Sequence, residues 1–127
     1  MSSITITYQK TVSHLTERLI EALGDKVESI VLYGSVARNE AREDSDIDVL
    51  VVTLEDDTKL YDKISKIRTR IDLENNTLTT LVQISRKQVE QHMKLGSPFM
   101  ESVMKEGVIL YDNGFFKKIR GSLAFKS

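Results

Sequence analysis

The run Leu32-Tyr33-Gly34-Ser35-Val36-Ala37-Arg38, followed after a polar spacer by Ser45-Asp46-Ile47-Asp48-Val49-Leu50-Val51-Val52, decides how the rest of this chain is read. Its pattern is a strand, a glycine turn, a short helix, a loop and a second strand that opens on two alternating aspartates. Side chains alternate between the faces of a strand, so Asp46 and Asp48 are expected on one face. Two carboxylates side by side, with no cation near them in sequence, repel each other. A divalent metal relieves that repulsion, and hard oxygen ligands suit Mg²⁺ or Mn²⁺. Gly34 permits a sharp turn and a close approach of backbone to ligand. Ser35 opens a helix whose N–H groups and positive dipole end favour phosphate. Acids for a metal beside a phosphate cradle imply a nucleoside triphosphate site. A calcium loop of the D-x-D-x-D kind, begun at Asp44, is rejected because Val49 stands where that loop needs glycine.

The composition sets bounds on this reading. A chain of 127 residues suffices for one domain with a real core but not for two. Its 40% apolar and 29% charged residues are ordinary for a globular protein. A formal net charge of −1 argues against broad, sequence-independent nucleic-acid binding, which leans on excess Lys and Arg. With no cysteine, disulfides and thiolate zinc sites are excluded. Met1 to Lys10 lacks a basic segment followed by an apolar run, so no signal peptide is expected. No apolar run approaches the roughly 20 residues that cross a bilayer, and a cytoplasmic location is the expectation.

Hydrophobic spacing supplies the other elements. Tyr8, Val12, Leu15, Leu19 and Leu23 predict one amphipathic helix that ends at Gly24. Val27 to Tyr33 and Ile47 to Thr53 predict buried strands. Leu60, Ile64, Ile67 and Ile71 predict a second long helix, and Thr77 to Ile84 a third strand. Ser85 with Gln88 makes a capping box for a short helix that stops at Gly96. Ser97-Pro98 opens another, with Phe99, Val103 and Met104 expected to face inward. Gly107 ends it before a short edge strand, Val108 to Tyr111. The expected architecture is therefore α/β (α+β): a mixed sheet of about four strands flanked by helices. One domain is expected over residues 1–114. The basic, amphipathic tail 115–127, with Phe115, Phe116, Ile119, Leu123 and Phe125 beside four cations, either docks on its own domain or offers a partner surface.

Gly34-Ser35-Val36-Ala37-Arg38, the spacer Asn39 to Asp44, and Ser45-Asp46-Ile47-Asp48 resemble the signature of the minimal nucleotidyltransferase (MNT) family, within the DNA polymerase beta-like superfamily. The later Gly96-Ser97-Pro98-Phe99 and Glu106-Gly107-Val108-Ile109-Leu110-Tyr111 resemble the ends of its small members. The resemblance implies the nucleotidyltransferase fold, Mg²⁺ (or Mn²⁺) on the catalytic acids Asp46 and Asp48, and ATP as substrate. It places Gly34, Ser35, Arg38 and Ser45 in the nucleotide-binding set. Arg38, one turn into the short helix, is suited equally to reaching phosphate and to anchoring the acidic loop.

The chain departs from the family on the next strand, where a third carboxylate is usual and Leu78-Thr79-Thr80-Leu81-Val82-Gln83-Ile84 has none. Asp72 and Glu74 are the nearest acids, both at a helix end. Small members are often antitoxin partners of HEPN proteins, so the resemblance implies AMP transfer to a hydroxyl of such a partner. The alternative it leaves is a catalytically weak or inactive module that neutralises its partner by contact. Transfer to a small molecule such as an aminoglycoside would call for a further substrate domain. Arg86 and His92 match the spacing of a HEPN ribonuclease motif, but that family is all-helical and the match is read as coincidence. Self-association is left open.

Overall fold

The computed structural model describes residues 3–42 and 44–124. Helix α1 (Ser3–Leu23) ends in a single 3-10 turn, Gly24–Lys26, with Gly24 at φ +54°. Strand β1 (Val27–Tyr33) runs into the four-residue helix α2 (Gly34–Ala37), and strand β2 (Ile47–Thr53) returns antiparallel to β1. Helix α3 (Thr58–Asn75) then crosses to strand β3 (Thr79–Ser85), which lies parallel to β2. Helices α4 (Arg86–Lys94) and α5 (Pro98–Glu106) lead to strand β4 (Val108–Asp112), antiparallel to β1, and helix α6 (Phe115–Ala124) follows. The sheet order is β3-β2-β1-β4. It is the mixed sheet flanked by helices that the hydrophobic pattern predicts, and β4 is at an edge as expected.

Both faces of the sheet are covered, which is why β1 and β2 read as nearly continuous apolar runs. Ile47, Val49 and Val51 pack with Tyr8, Val12, Leu15, Leu19 and Leu23 of α1 and Leu60, Ile64 and Ile71 of α3. Leu50 and Val52 face the other way, toward Val89 of α4, Met100, Val103 and Met104 of α5, and Phe116 of α6. By the same alternation Asp48 belongs to the α4–α6 side.

The local signals hold where the chemistry is local. The capping box is complete: the Ser85 hydroxyl accepts from the Gln88 N–H, and the Gln88 side chain accepts from the Ser85 N–H. Pro98 opens α5 under a Ser97 cap. Gly107 closes it for a steric reason, since a Cβ there would meet the Val103 carbonyl and the Val31 side chain. One expectation is corrected. Phe99 does not face inward but is 40% exposed, and Met100 is buried instead. Met100, Val103 and Met104 are spaced three and four apart and make one helical stripe, and Phe99 is a step of about 100° off it.

The described part of the tail packs on the domain. Phe115 and Phe116 are buried, with Ile119 and Leu123 against the same cluster. Arg120 donates to the carbonyls of Met104 (2.8 Å) and Gly107 (2.6 Å) and lies over the Phe116 ring. Phe125 and Lys126 lie outside the described residues. Arg86 has a structural part here, paired with buried Glu28 at 3.7 Å and set over the Phe115 ring. Among the described residues no helix is long and apolar enough to cross a membrane.

Candidate functional site

Strand β1 ends and α2 begins at Gly34, whose φ of +75° is a left-handed conformation that favours glycine. A Cβ at this position would run into the carboxylate of Asp48, which would have to move away to admit it. The two halves of the motif are thereby in contact, as the antiparallel pairing of Tyr33 with Asp48 requires. Asp46 stands one residue before β2, on the loop rather than in the strand, and close enough for its charge to act on Asp48. Burial and then the neighbouring Asp46 hold the Asp48 carboxyl above its ordinary range, with Arg38 pulling the other way. A cation at the pair would relieve this tension.

The loop that carries Asp46 is fastened from a distance. The phenol of buried Tyr8, on α1, donates to the Arg42 carbonyl at 2.6 Å and lies 3.1 Å from the Ser45 carbonyl. The Ser45 hydroxyl accepts from the Arg42 N–H at 2.8 Å, so Ser45 shapes the loop from within. Arg38 caps α2 and forms ion pairs with Glu40 (3.2 Å) and Glu106 (3.3 Å), linking the loop to the end of α5. Ser35 lies in the first turn of α2, and the Tyr33 side chain does not cap that turn. At four residues α2 carries only a fraction of a helix macrodipole, so individual N–H groups count for more there than the dipole.

The position opposite Asp48 on β3 belongs to Thr80. Its hydroxyl donates to Asp46 at 3.3 Å, which makes it the polar side chain that β3 presents to the acid pair. Neither acid at the end of α3 fills this role. Asp72 is buried and accepts from the hydroxyls of Thr77 (2.8 Å) and Thr79 (2.7 Å) and from the Thr79 N–H (2.9 Å). Glu74 lines a groove between α1 and α3 with Arg18 and Arg70. Among the described residues, no three His, Asp or Glu side chains cluster to hold a metal. A pair of acids still fits Mg²⁺, which commonly takes one or two carboxylates and completes its shell with substrate phosphates and water.

The structure thus brings Gly34, Ser35, Asp46 and Asp48 together at the end of β1 and the start of β2, with Arg38 and Ser45 on the flanking turn and loop. Two contributors escaped the pattern of the sequence. Tyr8 reads as one more residue of an apolar stripe, although a buried phenol needs a hydrogen-bond partner, and that was the available signal. Thr80 reads as a gap in the motif, and its contact with Asp46 depends on a strand register no local pattern encodes.

Comparison with known proteins agrees with this fold. The family model described as polymerase beta, nucleotidyltransferase, matches residues 17–114. MJ0604 of Methanocaldococcus jannaschii, named as a candidate protein adenylyltransferase, is 26% identical over 103 residues, covering 81% of this chain and 97% of the relative. A chain of the crystal structure of a toxin–antitoxin complex with AMP-PNP superposes with a TM-score of 0.59 at 16% identity, over 90% of this chain and 87% of the other. A chain of the complex between tri-AMPylated Shewanella oneidensis HEPN toxin and MNT antitoxin gives a TM-score of 0.54 at 16% identity, over 93% and 84%.

Proposed function

The chain belongs to the polymerase beta nucleotidyltransferase family, and from that premise we propose that it transfers AMP from ATP to a hydroxyl group of a partner protein. The observation that carries this reading is the fit of Gly34 against the Asp48 carboxylate. A triphosphate laid on that turn would lie against the acid pair. Gly34 and Ser35 would hold its β- and γ-phosphates through backbone N–H and hydroxyl, and Arg38, whose charge already acts on Asp48, would add to the attraction. Ser45 would serve the nucleotide indirectly, by keeping the Asp46 loop in shape. Asp46 and Asp48 would hold Mg²⁺ or Mn²⁺, which when bound neutralises phosphate charge and lowers the pKa of an attacking hydroxyl. Transfer then asks the protein mainly to position reactants. The acceptor oxygen bonds to the α-phosphorus, its proton passes to solvent water, and pyrophosphate leaves with the electron pair of the broken P–O bond.

A protein acceptor is supported by the relative named for protein adenylyl transfer and by the similar fold found beside an AMPylated HEPN toxin. A HEPN-type protein is accordingly the partner proposed. Thr80 in place of a third acid favours a second reading, a module that binds its partner and inhibits it by contact. Labelled ATP, Mg²⁺ and the product of the adjacent reading frame separate the two. Label on the partner, absent with Asp46→Asn plus Asp48→Asn, supports transfer. An unlabelled but inhibited partner supports the module.

A further inference from the structure

Phe99, 40% exposed, is the large residue that the core stripe of α5 leaves outside. It stands edge-to-face with Tyr33, centroids 5.5 Å apart and planes at 87°. Tyr33 precedes the glycine turn and is the cross-strand partner of Asp48. Helix α5 lies along α2, its first turn meeting Tyr33 and its last residue, Glu106, meeting Arg38. The exposed ring therefore borders the nucleotide site described above. A single exposed apolar residue is ordinary and says little. An exposed aromatic ring, braced by a second one beside an acid pair, says more, because a T-shaped pair leaves a ring face open. On the β3 side the acid pair meets the Thr80 hydroxyl. The aromatic surface is on the α5 side.

We propose that Phe99 is the platform on which the nucleobase stacks once the phosphates are held at Gly34 and Ser35, with Tyr33 bracing the ring. Stacking is tolerant of sequence but grows with the π-surface of the base, so purines are favoured over pyrimidines. This rests on the nucleotide-site reading, and the test separates the two. Mg²⁺ with ATP and Mg²⁺ with inorganic tripolyphosphate are titrated into the natural protein, Phe99→Ala, Phe99→Leu and Phe99→Trp. A stacked base is worth about 5- to 150-fold in affinity. ATP should weaken by that factor in Phe99→Ala, recover in Phe99→Trp and stay weak in Phe99→Leu, while tripolyphosphate binds all four alike. Unchanged ATP affinity in Phe99→Ala, or an equal loss of both ligands, would overturn the stacking role and leave the phosphate site standing. Failure of both ligands to bind the natural protein would overturn both readings.

Discussion

Asp48 is held out of its ordinary titration range by its own surroundings, burial first and Asp46 second. Its pKa is higher in the folded chain than in the unfolded one, so this group favours folding most below about pH 4 and loses that contribution as pH rises through the folded value. At neutral pH without a divalent cation, the ionised pair is a cost. Asp48→Asn should therefore raise Tm at pH 7–8, with a gain that shrinks toward zero below about pH 4, as thermal melts across pH would show. A Tm lowered by the substitution at neutral pH would contradict the repulsive pair. Thr80 offers the converse experiment. Positioned general-base help is worth about 10²–10⁴-fold in rate, so Thr80→Asp should raise AMP transfer by a factor approaching that range, and Thr80→Asn should not. Thr80 is the position for the acid because its side chain already reaches Asp46 through a hydrogen bond. Tyr8→Phe should cost about 0.5–1.5 kcal/mol, the net value of a buried hydrogen bond, and should weaken Mg²⁺-dependent ATP binding by loosening the Asp46 loop. Unchanged ATP affinity would reduce Tyr8 to a core residue.

Helix α6 depends on one acid outside it. Asp112 accepts from the Ser29 hydroxyl (2.7 Å) and from the N–H groups of Phe116 and Lys117 (both 3.0 Å). Burial alone would raise its pKa, but these bonds, with one from Gly114, outweigh it and hold the carboxyl below its ordinary range. A depressed folded-state pKa stabilises above the unfolded value and is lost as pH falls through the folded one. Asp112→Ala should cost about 0.5–2 kcal/mol at pH 7, the range for a lost helix cap, and its penalty should fade below about pH 4. Phe116→Ala should cost about 3–5 kcal/mol, as for other fully buried rings. Urea denaturation measures both, and a Phe116→Ala loss under 1 kcal/mol would mean that α6 is not part of the core. At this scale the sequence was most readable. The capping box at Ser85, the proline at the start of α5 and the limits of β1 and β2 are set by neighbours within a few residues. The inward position of Met100 rather than Phe99 was not, because two large apolar residues in succession leave the stripe ambiguous until the partner surface is known.

For the molecule as a whole, the motif halves lie together because β1 and β2 are adjacent antiparallel strands, and a side chain at position 34 would be strained at its positive φ and would push on the Asp48 carboxylate. That much is legible, since the same residues that carry the chemistry also set the turn. The α1 clasp on the Asp46 loop, the Thr80 register and the Arg38–Glu106 link join segments 34 to 68 residues apart and exist only in the folded chain. The proposed transfer of AMP by this chain requires nucleotide binding by Asp46 and Asp48 beside Gly34 and Ser35. Titration calorimetry with Mg²⁺ and ATP, on the natural protein and on Asp46→Asn plus Asp48→Asn, tests this most directly. The natural protein should bind saturably, and binding should disappear in the folded double variant and when the metal is chelated. Equal affinity in the double variant would contradict it.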